Sequence, residues 1–153
     1  MYMIHTKKKI NKNYKRHTNI KNFLNIIDVL SIHVHYNKET KNFVNKNMFK
    51  NMKKDVLIVN TSRGEVINEK DLLTFLKKNK YSRYATDVLN DEINFRNNKI
   101  LKLSKQDSNK VFITPHIGGM TYEGRNIAYK KAADDLINFF ESKIWNLNLE
   151  VKI

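Results

Sequence analysis

The sequence predicts an α/β fold built on a mostly parallel sheet. Four short strand-like segments occur at residues 28–35, 56–59, 82–88 and 111–114, and helical patterns lie before, between and after them. The run Val56 to Val59 is continuous, branched and apolar, the pattern of a strand buried on both faces in a parallel sheet. Polar residues capable of chemistry follow successive strands, and the C-terminal edge of a parallel sheet is where such residues converge on ligands.

The elements can be justified in order. Met1 to Thr18 is polar, rich in Lys and Asn and without periodicity, so it reads as a poorly ordered lead-in, although Tyr2 to His5 could add a short strand. Ile20, Phe23, Leu24 and Ile27 have the i, i+3, i+4, i+7 spacing of an amphipathic helix. In Asp28 to His35, Leu30, Ile32 and Val34 alternate with Ser31, His33 and His35, as in a strand with one apolar face. Lys41 to Met52 reads as irregular or short helix, and the Val56 strand ends at Asn60. Asn68 can cap a helix through Asn79, with Leu72, Leu73, Phe75 and Leu76 inward and Lys77 and Lys78 suiting its C-terminal dipole. Ser82 to Val88 is the next strand, Lys99 to Leu103 a short helix, and Val111 to Thr114 a strand stopped by Pro115. A long helix from Thr121 to about Ser142 would bury Ile127, Ala128, Ala132, Leu136, Phe139 and Phe140, and Trp145 to Ile153 would form a short extra segment.

On this plan Arg63 follows the second strand, Asp87 and Glu92 end the third, and His116 follows the fourth. An Arg, two carboxylates and a His at one sheet edge make an acid-base site with an anion anchor. Taken singly, His116 reads equally well as a loop histidine bonded to backbone, and Arg63 as an exposed turn residue.

Composition removes several alternatives. The four glycines, Gly64, Gly118, Gly119 and Gly124, form neither G-x-G-x-x-G nor a P-loop. Without cysteine there is no disulfide, thiolate zinc site or catalytic thiol. His5, His17, His33 and His35 lack the further ligands of a metal site, so none is expected. No apolar run approaches a membrane span, and the default expectation is a cytoplasmic protein. The net charge of +14 invites a nucleic-acid reading, but seven of the 29 basic residues fall in residues 1–27, where no acidic residue occurs. Only five of the 29 are Arg, and 62 of 153 residues are Lys, Asn or Ile, so biased composition accounts for the charge and nucleic acid ranks third as a partner.

Three phrases, MKKDVLIVNTSRG at Met52 to Gly64, TDVLNDE at Thr86 to Glu92 and TPHIGG at Thr114 to Gly119, go further. Together they resemble the NAD-dependent D-isomer-specific 2-hydroxyacid dehydrogenases, a family that includes phosphoglycerate dehydrogenase. The resemblance runs from about Asn22 to Phe140 and includes DVLSIHV at Asp28 to Val34 and Glu39-Thr40 after it. Arg63 and Glu92 are 29 residues apart and Glu92 and His116 are 24 apart, both ordinary for the family. The resemblance implies that Arg63 holds the substrate carboxylate and carbonyl, His116 exchanges a proton with the substrate oxygen, and Glu92 pairs with His116. It implies NAD as cofactor, with NADP the alternative. Thr61, Ser62 and Arg63 would line the nicotinamide side, Asp87 would approach the carboxamide, and His116, Ile117, Gly118 and Gly119 would close over it. His33 would lie near the adenosine.

The sequence also departs from the family's pattern. Ile93 stands where a proline usually follows the glutamate, His35 replaces a frequent proline, and Arg83-Tyr84 replaces small residues before Ala85. More consequential is the lack of the substrate-binding lobe and of the first strand, glycine-rich turn and helix that precede these phrases in the family. The expected architecture is therefore a partial Rossmann-like, doubly wound parallel sheet without its first strand-glycine loop-helix unit. Residues 1–18 would be the lead-in, 19–120 the partial NAD-binding domain, and 121–153 the long helix and tail. The expected function is oxidoreduction between a D-2-hydroxy acid and a 2-oxo acid in a truncated chain, with a complementary N-terminal fragment or a second copy as partner. The alternative is a non-catalytic remnant or interaction module that keeps the fold.

Overall fold

A computed structural model describes residues 2–3 and 15–141, with side chains from residue 17 onward; the expected segment from Trp145 to Ile153 lies outside them. Contacts divide the chain into two compact units, Met1–His116 and Ile117–Ile153. In the first, β1 (Tyr2–Met3) and β2 (Lys15–Arg16) pair in parallel as a two-stranded ribbon. The main sheet is parallel and four-stranded, in the order β3 (Val29–Ile32), β4 (Leu57–Asn60), β5 (Arg83–Thr86) and β6 (Val111–Ile113). Consecutive parallel strands require crossovers, and the segments that supply them carry α2 (Lys46–Phe49), α3 (Glu69–Lys78) and α4 (Lys99–Gln106). This is the partial doubly wound, Rossmann-like sheet that the sequence predicts.

Side-chain chemistry sets the element ends. Asn19, Asn45, Asn68 and Asn98 each cap a helix, their Oδ1 atoms accepting backbone N–H groups at the starts of α1 (Ile20–Leu24), α2, α3 and α4. Helix α1 stops at Leu24, short of the Ile27 that its periodicity suggests, yet Ile27 is still buried. In β3, Leu30 and Ile32 face inward while Val29 and Ser31 are exposed, as the alternation requires. In β4, Ile58 is fully buried and Leu57 and Val59 only partly so, which makes the second face of this strand less covered than its apolar run suggests. Leu72, Phe75 and Leu76 turn the inner side of α3 to the core, where Phe75 stacks on Phe49 of α2 with ring centroids 5.1 Å apart. Burial pushes the phenol of Tyr84 on β5 up to about 12, against the opposing pull of hydrogen bonds with Thr86 and Asn60.

The second unit contains α5 (Tyr122–Glu141), where a long helix is predicted. Its apolar residues are not buried: Ile127, Leu136, Phe139 and Phe140 are 71%, 59%, 48% and 58% exposed, and Ala128 and Ala132 are also exposed. The expected buried stripe is thus corrected. Spacing identifies which face of a helix is apolar, but not whether a surface is available to cover that face.

Candidate active site

The site begins with a buried amide. Asn60, the last residue of β4, is fully buried; its Nδ2 donates to the Arg63 carbonyl at 2.9 Å, and its Oδ1 accepts from the Ser62 N–H at 3.0 Å. Its own carbonyl accepts from the Asp87 N–H at 3.1 Å and the Thr86 hydroxyl at 3.0 Å. One residue therefore shapes the Thr61-Ser62-Arg63 turn and joins it to the end of β5. The Ser62 hydroxyl donates to the Val34 carbonyl and fastens the same turn to the segment after β3. Between these loops lies a cleft of about 450 Å³ lined by residues 33–36 and 61–63. Arg63 is exposed at its wall, with Nη1 donating to the Ser62 carbonyl at 2.7 Å. Gly64 then runs so close to the next loop that a Cβ there would lie 2.1 Å from the Leu89 carbonyl carbon and 2.3 Å from the Asn90 nitrogen.

The acid-base groups lie one and two strands further along. Asp87 is buried after β5, and its Oδ1 accepts from the Thr114 hydroxyl at 2.5 Å. Glu92 opens a 3₁₀ turn over Glu92–Asn97; its Oε1 accepts from the Leu89 N–H at 3.2 Å and its Oε2 meets His116 Nδ1 at 2.8 Å. A carboxylate oxygen facing Nδ1 suits the tautomer with its proton on that nitrogen and leaves Nε2 outside the contact. His116 has φ +55°, a left-handed backbone uncommon outside glycine and a form of strain that recurs at functional sites. Its N–H donates to the Thr114 carbonyl at 3.0 Å, in the same turn that carries the Asp87 contact. Asp87, Glu92 and His116 share a second cleft of about 480 Å³, with apolar walls from Leu89, Phe95, Leu101, Ile113 and Pro115. Such walls limit the water that competes for a bound polar group.

The structure brings Glu92 onto His116 and Asp87 beside their shared cleft, while Arg63, Thr61, Ser62 and His33 line the first cleft. Arg63 is not among the residues that line the cleft shared by Asp87, Glu92 and His116. Ile117, Gly118 and Gly119 fall in the second unit. Sequence reasoning overlooks Asn60, Gly64 and Thr114. A polar residue closing an apolar strand was the available signal for Asn60. A glycine straight after the arginine was the signal for Gly64.

Comparison with known proteins decides the lineage. Residues 1–118 match the family model described as "D-isomer specific 2-hydroxyacid dehydrogenase, NAD binding domain", from well upstream of Asn22, where the motif resemblance begins. The chain belongs to this family. The D-3-phosphoglycerate dehydrogenase of Archaeoglobus fulgidus is 34% identical to this family member over 111 residues, 72% of this chain and 20% of that protein. The glyoxylate reductase of Thermococcus litoralis is 32% identical over 117 residues, 76% of this chain and 34% of that one. The D-lactate dehydrogenase of Aquifex aeolicus, solved with NAD and lactic acid, superposes with a TM-score of 0.78 at 25% identity, covering 94% of this chain and 46% of that one. This dehydrogenase-family chain thus spans about a fifth to a third of the length of these two curated relatives.

Proposed function

We propose that this chain carries the proton-transfer part of an NAD-dependent dehydrogenase that interconverts a D-2-hydroxy acid and a 2-oxo acid. The observation that supports it most is the 2.8 Å contact of His116 Nδ1 with Glu92 Oε2 at the C-terminal edge of the parallel sheet. Glu92 fixes the ring and its tautomer, and the imidazole passes a proton to or from the substrate oxygen through Nε2. Arg63, whose planar fork suits a carboxylate next to a carbonyl, anchors the acid.

The residues fit one end of the cofactor. The first cleft lies within the size range of small-ligand pockets, and Thr61, Ser62, Arg63 and His33 give it hydroxyl, guanidinium and imidazole groups, while Asp87 supplies a buried carboxylate to the second cleft. When bound there, the nicotinamide of NAD supplies the hydride chemistry that no side chain can. The 153 residues contain no G-x-G-x-x-G turn to cradle a pyrophosphate, so that part of the cofactor requires a complementary N-terminal fragment. The second reading is a non-catalytic module that retains the fold. No helix among the described residues is long and apolar enough to cross a membrane, and we read the protein as cytoplasmic.

An NADH absorbance assay with a panel of 2-oxo acids separates the two readings. The 153-residue chain alone is expected to show no turnover above background. Mixing it with a fragment that supplies the glycine-rich strand-turn-helix and the substrate lobe is expected to produce turnover. Clear turnover by the chain alone would contradict the assigned need for a cradle, and a well-folded mixture that never turns over would favour the non-catalytic module.

A further inference from the structure

We propose that Glu69, on α3, is a positioning residue that holds the loop bearing Glu92 and so sets the contact between Glu92 and His116. The proposal rests on reading that pair as the proton-transfer site. Glu69 lies in the first turn of α3, remote in sequence from either member of the pair. Its Oε1 accepts from the Asn90 backbone N–H at 3.0 Å and from Asn98 Nδ2 at 3.0 Å, and its Oε2 lies 3.0 Å from the same Nδ2. One carboxylate therefore grips both ends of the segment from Asn90 to Asn98, and Glu92 lies inside that span. Asn98 Nδ2 also donates to the Asn90 carbonyl at 3.3 Å, closing the loop on itself.

No buried apolar side chain anchors this turn. The 3₁₀ turn over Glu92–Asn97 has no buried residue, and Ile93 within it is 92% exposed. Asp91, just before Glu92, has φ +51°, a left-handed conformation that costs free energy unless its surroundings enforce it. Besides bonds local to the loop, from the Leu89 N–H to Glu92 and from Asn94 to Asp91, charge-assisted hydrogen bonds from a fixed helix supply the restraint that ties the loop to the rest of the fold, and the N-terminal end of α3 favours a carboxylate there. Asn98 has a second duty, because its Oδ1 caps α4 through the Ile100 and Leu101 N–H groups, so the clamp and the cap share a side chain.

The test reads the His116 ring directly in the 153-residue chain and needs no turnover. Ring ¹H–¹⁵N couplings, recorded where the imidazole is neutral, give the fraction of the ring protonated at Nδ1. Wild type is expected to be mainly the Nδ1–H tautomer, and Glu92→Ala to lose it. Glu69→Ala is expected to lose most of what Glu92→Ala loses, and Glu69→Gln, which retains one acceptor, to keep part of it. Asn98→Asp preserves the acceptor that caps α4 but puts carboxylate oxygens against Glu69, so it is expected to behave like Glu69→Ala while staying folded. If Glu69→Ala and Asn98→Asp only lower the melting temperature and leave the tautomer at the wild-type value, while Glu92→Ala shifts it, Glu69 is merely structural and the proposal is overturned. An unshifted tautomer in Glu92→Ala would overturn the pair itself, and this proposal with it.

Discussion

His116→Gln is expected to lower turnover in the complemented enzyme by about 10²- to 10⁴-fold, the usual contribution of a positioned acid-base group. Glutamine is close in size to histidine and can hydrogen-bond to Glu92, so the fold and the loop are expected to survive. What disappears is a ring nitrogen that can hold a proton and release it. The loss should therefore appear in kcat, with the substrate KM little changed, because the anchor proposed for the acid, Arg63, is untouched. Initial rates of NADH oxidation over a range of 2-oxo acid concentrations separate the two parameters. Unchanged kcat would remove His116 from the mechanism.

Gly64→Ala is expected to destabilise the fold by about 3 kcal/mol, toward the upper end of the usual cost of overpacking. The reason is contact and not torsion, since no glycine among the described residues has a positive φ. A methyl group at Gly64 would meet the Leu89 carbonyl carbon at 2.1 Å, and backbone cannot rotate aside as a flexible side chain does. Either the Arg63 turn or the loop that leads to Glu92 must move, so the variant should also disturb the His116 tautomer. Urea unfolding followed by circular dichroism measures the cost. Gly119→Ala serves as the comparison: a Cβ there meets nothing within 4 Å, and the change is expected to stay within about 0.5 kcal/mol of wild type. Equal stability of the two variants would show that the close approach at Gly64 carries no energy.

Backbone placement was legible in the sequence: strand periodicity puts Arg63 after β4, Asp87 and Glu92 after β5 and His116 after β6, where the structure has them, because strand order fixes where backbone goes. Capping was legible too, since Asn68 announces α3 by its chemistry alone. The distribution of these residues between two clefts was not, because it depends on where Asn60 and Ser62 tie the turn after β4. Long-range polar contacts such as Glu69 to Asn98 leave no periodic trace, being single side chains 29 positions apart. The apolar face of α5 shows the opposite limit: its pattern was plain, and its exposure could not be read from it.

The most direct measurement of the central claim is a titration of the ¹⁵N-labelled 153-residue chain with NADH, followed by amide chemical shifts. With the nicotinamide end recognised and no pyrophosphate cradle in the chain, binding is expected to be weak, with Kd on the order of 1 mM. Shifts should concentrate at Thr61, Ser62, Arg63 and His33, which line the first cleft, and at Asp87, whose N–H is held by the Asn60 carbonyl, and should weaken in Asn60→Ala as its turn loosens. Shifts absent from these residues at millimolar NADH, or confined to the basic residues of the lead-in, would contradict the assignment of this sheet edge as the cofactor side of a dehydrogenase site.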